Sequence, residues 1–213
     1  MTRDEMAKAV SVLRAQRGTA ARPPHRGQRG YYDLPEAARV LAMRTAAVAT
    51  HVPPGSAVLD LGCNDGRISM ALMDAGLASA VIGVDLEDLR IAARPGFTFR
   101  RADLTTVDLA TLPPADVCLC LNVLHHVVWR ASPARAAEIA AHLAATIPVT
   151  FVDMGSHTER GKWGWRRVYR RLWPGDEAMW KDIFGDVRRE AILRYPAHGG
   201  GERTLWKLWR GAR

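Results

Sequence analysis

Three carboxylates, Asp60, Asp85 and Asp103, each stand at or just past the end of a strand-like run. An acid placed there can accept hydrogen bonds from the hydroxyl or amino groups of a nucleoside-like ligand. The first of them opens Asp60-Leu61-Gly62-Cys63-Asn64-Asp65-Gly66, a glycine-containing turn between an apolar run and a helical pattern. Such a turn lets backbone approach a ligand at the carboxyl end of a strand. Further on, Asn122-Val123-Leu124-His125-His126 follows a fourth strand-like run and Asp153 ends a fifth. Histidine titrates close to neutral pH and a strand-end carboxylate can orient or accept a proton, so His125, His126 and Asp153 are the candidate catalytic groups. His157 follows closely and is a further candidate for contact with a reacting molecule.

The elements that must position these groups can be read from the apolar spacing. Pro35 suits the first turn of a helix, and Ala38, Leu41, Ala42 and Ala46 give it an apolar stripe that ends at Pro53-Pro54-Gly55. Strands are predicted at Ala57–Leu61, Ala80–Leu86, Phe97–Arg101, Ala115–Leu121 and Val149–Asp153, with helical patterns between them. Ser132 and Pro133 form a start signal for the helix before the fifth strand. Five alternations of strand and helix predict a doubly wound, mostly parallel α/β sheet with helices on both faces. After the fifth strand comes a Trp- and Arg-rich helical insertion at about 156–186, followed by two runs, Val187–Tyr195 and Arg203–Trp209. These make a C-terminal antiparallel hairpin, bringing the sheet to seven strands.

The chain has 213 residues, enough for one domain with a full core, and 48% hydrophobic with 24% charged residues excludes a disordered, collagen-like or membrane-bundle chain. Residues 1–30 read as a mobile basic segment and 31–213 as the domain. No apolar run is long enough to suggest a membrane span, and Arg3, Asp4 and Glu5 interrupt any signal-peptide core, so the expectation is a cytoplasmic protein without a membrane partner. The cysteines Cys63, Cys118 and Cys120 give neither a disulfide framework nor a zinc site, and no metal is expected. A net charge of +8 favours an anionic partner such as RNA. Arginine supplies 26 of the 30 basic residues in an alanine-rich chain, a pattern that coding bias can also produce, so the charge is a weaker sign of a nucleic-acid partner.

A dinucleotide turn needs G-x-G-x-x-G, and Asn64 and Arg67 occupy the second and third glycine positions here. The pattern D-x-G-x-N-x-G instead resembles the first motif of class I S-adenosylmethionine-dependent methyltransferases, with Asn64 in place of the middle glycine. Asparagine tolerates a left-handed backbone and can preserve the turn. The resemblance continues in order through Asp85, Asp103 and Asn122 and covers roughly residues 31–155. It implies S-adenosylmethionine as cofactor and S-adenosylhomocysteine as product. By the same resemblance Asp60, Gly62, Cys63, Asn64, Gly66 and Arg67 surround the methionine portion and Asp85 with Leu86 holds the ribose. Asp103 with Leu104 holds the adenine, and Asn122 with Val123 lies beside the methionine portion again.

Methyl transfer is an in-line displacement, so a nucleophile must be aligned with the sulfonium carbon and, where weak, relieved of a proton. For the acceptor the candidates are Tyr31, Tyr32, His157, Trp163 and Trp165. Each aromatic group has a second reading: Tyr31–Tyr32 as a hydrophobic anchor, the tryptophans as the insertion's own core, and the arginines of that insertion as a solvated helix face. The expected function is methylation of an O or N atom of a small molecule, as in specialised metabolism. An RNA-modifying methyltransferase is the alternative, and a non-catalytic cofactor-binding module a second one.

Overall fold

A computed structural model describes residues 35–87, 94–160, 164–197 and 200–209. The elements in chain order are α1 (Pro35–Ala49), β1 (Ser56–Leu61), α2 (Arg67–Asp74), β2 (Ala78–Asp85), β3 (Phe97–Arg101) and β4 (Val117–Leu121). They continue with α3 (Leu124–Arg130), α4 (Pro133–Thr146), β5 (Val149–Asp153), α5 (Gly164–Leu172), α6 (Asp176–Phe184), β6 (Arg188–Pro196) and β7 (Glu202–Trp209). The short helix expected before Pro95, like the segment 1–30, Tyr31, Tyr32 and Trp163, falls outside the described residues.

The sheet has seven strands in the order β3-β2-β1-β4-β5-β7-β6. Strands β1 to β5 pair in parallel, while β7 runs antiparallel between β5 and β6, giving the expected hairpin. Strand order reverses direction at β1, where the chain leaves for β2 on one side and later returns to β4 on the other. The carboxyl ends of β1, β2 and β4 therefore diverge and leave a crevice for a ligand.

Both faces of the sheet are covered, which explains why β1 and β4 are apolar on alternate and intervening positions alike. One core contains Val58, Val81, Leu119, Phe151 and Leu205 packed under α1 and α2. The other contains Leu59, Leu61, Cys118, Cys120 and Val152 packed under α3, α4, α5 and α6. The start signal at Ser132 operates as expected: its hydroxyl accepts the Arg135 backbone N–H at 3.1 Å, with Pro133 at the first helical position.

Strand β4 begins at Val117 rather than Ala115 because the preceding Asp116 uses its carboxylate to accept the Ala57 N–H at 2.8 Å. The insertion after β5 folds as α5 and α6, and its aromatics divide between two duties. Trp173 and Trp180 are buried in the main core, while Trp165 is buried and also borders the cavity described below. Arg167, Arg170 and Arg171 lie exposed on the other side of α5.

Candidate active site

At the carboxyl ends of the parallel strands lies a cavity of about 470 Å³, within the range of small-molecule and cofactor sites. Its first wall is the turn after β1. Gly62 has φ 68, and a Cβ there would stand 2.3 Å from Val123 Cγ2, so a side chain is excluded both by backbone conformation and by contact. Asn64 has φ 51, the left-handed conformation that its motif position demands. Its backbone N–H donates to Asp85 Oδ2 at 2.8 Å, and Asp85 Oδ1 accepts the Leu86 N–H at 2.7 Å. A carboxylate has about four acceptor sites, so Asp85 keeps capacity for ligand hydroxyls.

Asp103 borders the same cavity beyond β3. The Thr105 backbone N–H and hydroxyl donate to its Oδ1 at 2.9 and 2.7 Å, which holds the carboxyl below its ordinary pKa, with burial working weakly against this and Arg130 adding to it. Asn122, at φ 62, turns the chain out of β4, and its N–H donates to Asp153 Oδ1 at 2.6 Å. That turn delivers Val123, His125 and His126 to the cavity wall.

The far end is built from four side chains that come from three elements: His125 and His126 of α3, Trp165 of α5 and Arg203 of β7. His125 is buried, with its ring 5.0 Å from that of Trp165 and 4.2 Å from that of His126. Its Nδ1 accepts the Gly155 backbone N–H at 3.3 Å. Burial, followed by the charge of Arg203, keeps His125 well below the ordinary histidine pKa and lowers His126 as well. His126 is the more exposed of the pair.

Residues 58–146 match the family model described as a methyltransferase domain. Over 142 residues the chain is 30% identical to the ribosomal protein L11 methyltransferase of Parasynechococcus marenigrum (strain WH8102), an alignment covering 60% of this chain and 47% of that protein. The bifunctional kinase-methyltransferase WbdD superposes with a TM-score of 0.67 at 19% identity, over 94% of this chain and 46% of that one. Over residues 58–146, which carry the Asp60–Gly66 turn, Asp85, Asp103 and Asn122, the chain thus resembles a methyltransferase domain. The N-terminal domain of EvdMO1, solved with S-adenosylhomocysteine bound, shares the fold with a TM-score of 0.60 at 17% identity, over 99% of this chain and 98% of that one. The chain spans about half the length of the curated relative it matches.

The donors and acceptors on the cavity wall suit S-adenosylmethionine, the cofactor that the resemblance implies. Asp85 offers a carboxylate to vicinal hydroxyls, Asp103 offers another to an exocyclic amine, and Leu86, Leu104 and Val123 supply apolar surface for a ring. Gly62, Asn64 and Asn122 complete this half of the wall. Asp60, Cys63 and Arg67 instead line a small adjoining cavity of about 30 Å³, which shares Gly62 and Asn64 with the large one. Gly66 lines neither and serves as the residue that caps α2, while Arg67 pairs with Asp65 at 2.7 Å. Burial pushes the Asp60 carboxyl up to about 7, against the hydrogen bond it accepts from the Ser69 hydroxyl. Burial likewise drives the Cys63 thiol upward, so it has no nucleophilic character.

Two expectations for the acceptor side are corrected by the structure. Asp153 is not presented to the cavity: it is fully buried, its Oδ2 accepts the Tyr195 hydroxyl at 2.6 Å and lies 2.8 Å from Arg44 Nη2, and its Oδ1 is held by Asn122. With both oxygens engaged it positions the post-β4 turn and is removed from the candidate bases. His157 is likewise tied down away from the cavity, with Nδ1 2.7 Å from Asp176 Oδ1 and Nε2 3.1 Å from the Trp173 carbonyl.

Arg203 was not legible as a site residue in the sequence. Its Nε and Nη2 donate to Glu159 at 2.5 and 2.9 Å, and its Nη1 donates to Asn122 Oδ1. Glu159 is itself buried and also accepts the Ser156 N–H at 2.8 Å. Burial disfavours the Arg203 charge, but the Glu159 pair outweighs it and holds the guanidinium protonated. The only sequence signal was an arginine just after the Gly199-Gly200-Gly201 loop, which strand propensity alone cannot distinguish from a solvated edge residue.

Proposed function

We propose that this methyltransferase moves a methyl group from S-adenosylmethionine to an O or N atom of a small molecule, as in specialised metabolism. The observation that carries the reading is the far end of the cavity, where His125, His126, Trp165 and Arg203 converge in a space of about 470 Å³ that also takes the cofactor.

When bound, the cofactor supplies a methyl group on a cationic sulfur, whose departure leaves a neutral thioether. The protein therefore has to align the acceptor and exclude competing water more than it has to stabilise charge. Trp165 and the buried His125 ring shield the acceptor end. His126 is neutral at pH 7 because burial and the arginines lower its pKa, so it can take a proton from an acceptor hydroxyl or ammonium.

A second reading, methylation of RNA, is supported by the exposed arginines of α5. The two are separated by incubating the protein with labelled S-adenosylmethionine and either a panel of small hydroxyl and amine acceptors or total RNA. Label in the small-molecule fraction, with S-adenosylhomocysteine release, supports the first. Label only in RNA would overturn it, and no S-adenosylhomocysteine with any acceptor would leave a binding module.

A further inference from the structure

The acceptor end of the cavity is lined by donors. His125 Nδ1 accepts a backbone N–H, and a backbone N–H can only donate, so Nδ1 carries no proton. The neutral ring then holds its proton on Nε2, and His125 borders the cavity. The bond is fixed from behind: a Cβ at Gly155 would stand 2.4 Å from the Trp165 ring, so the indole presses on the backbone that donates to His125. Arg203 has five N–H groups, and Glu159 and Asn122 engage three of them. The remaining ones belong to a fixed guanidinium that also borders the cavity, with the Trp165 ring 5.9 Å from its central carbon.

Acids that might attract a cation are placed elsewhere. Asp85 and Asp103 border the opposite half, Asp153 is closed off by Arg44, Tyr195 and Asn122, and Glu159 is consumed by Arg203. Resting on the small-molecule reading above, we propose that this end recognises an oxygen lone pair through His125 Nε2–H and the free N–H groups of Arg203. The acceptor is accordingly an oxygen-bearing group, a hydroxyl or carboxylate, and the arginine charge disfavours an ammonium beside it.

The full chain, labelled with nitrogen-15 at histidine and saturated with S-adenosylhomocysteine, provides the test. The His125 ring is expected to show a bare Nδ1 and a protonated Nε2 throughout neutral pH. Sodium acetate should shift the Nε2 signal, and methylammonium chloride should not. Arg203→Lys, which keeps charge but not the fork, should weaken the acetate response by about tenfold, the scale of a lost charge-assisted bond. Should that variant fail to fold, His125→Gln is used instead, with acetate binding read by calorimetry and the same loss expected. The reverse tautomer, a response to methylammonium as large as that to acetate, or an acetate response unchanged by either variant would overturn the proposal. Calorimetry of S-adenosylhomocysteine in the same samples reports separately on the cofactor reading: its failure to bind would remove that reading, whatever acetate does.

Discussion

The Asp85 carboxylate accepts the backbone N–H of Asn64 at 2.8 Å, joining the acid at the end of β2 to the turn at the end of β1. One carboxylate thus braces the turn with one oxygen and offers the remaining lone pairs to the ligand. Asp85→Ala removes both contributions. The expected result is roughly a hundredfold loss of S-adenosylhomocysteine affinity by calorimetry, the size of two charge-assisted hydrogen bonds. Unchanged affinity would show that the ribose lies elsewhere.

Asn64 holds its left-handed φ of 51 without the freedom of glycine. Asn64→Gly should leave the melting temperature and cofactor affinity close to those of the parent. Asn64→Val places a β-branched side chain in the same backbone well, and a loss of about 1–2 kcal/mol in denaturant unfolding is expected. Equal stability of the two variants would mean the turn relaxes.

Asp60 makes stability depend on pH in a direction opposite to most surface carboxylates. Its folded pKa of about 7 lies above the ordinary 3.8, so the protonated form favours the folded state. The contribution is complete below pH 3.8 and is lost as pH rises through about 7. Asp60→Asn keeps an acceptor for Ser69 and removes the titration. Its stability relative to the parent should rise across that window and level off above it, with a ceiling of roughly 4 kcal/mol. A flat difference in urea unfolding measured at several pH values would refute the assignment.

Asp153 and Arg44 form a buried pair, at 0% and 2% exposure, and their partners Tyr195 and Asn122 depend on it. Asp153→Asn removes the buried carboxylate that Arg44, Tyr195 and Asn122 share and should cost about 3–5 kcal/mol in unfolding free energy. The loss is expected in stability rather than in turnover per folded molecule. A folded variant with its melting point intact but no activity would restore Asp153 as a catalytic group.

His126→Ala should lower turnover by about 10²–10⁴-fold while S-adenosylhomocysteine still binds. In the parent, activity should be full at neutral pH and fall only below the ordinary histidine value of 6.5, because the proton-accepting form persists further into acid. Full turnover in the variant would leave alignment as the whole of the mechanism.

The cofactor half was legible because its chemistry is written locally: Asp60 to Gly66, Asp85, Asp103 and Asn122 each follow a strand whose apolar run marks the sheet. Strand number, direction and the terminal hairpin followed from the same alternation. The acceptor half was only partly legible, since it depends on contacts between distant segments. His125, His126 and Trp165 were found from their position after a strand or in an insertion. Glu159 and Arg203 were missed because an isolated acid and an isolated arginine 44 residues apart carry no pattern until the hairpin brings them together. Asp153 misled for the same reason: a strand-end acid reads as catalytic unless Arg44 and Tyr195 are known to face it.

The placement of β7 between β5 and β6 makes one wall of the pocket depend on a distant part of the chain. Every described residue assigned to the cofactor lies between Asp60 and Val123, on strands paired through short parallel crossovers, whereas Arg203 reaches Asn122 across 81 residues of chain. The wall that carries Arg203 is thus supplied from a different part of the chain than the wall that carries Asp85 and Asp103, and a change in the hairpin can alter one without touching the other.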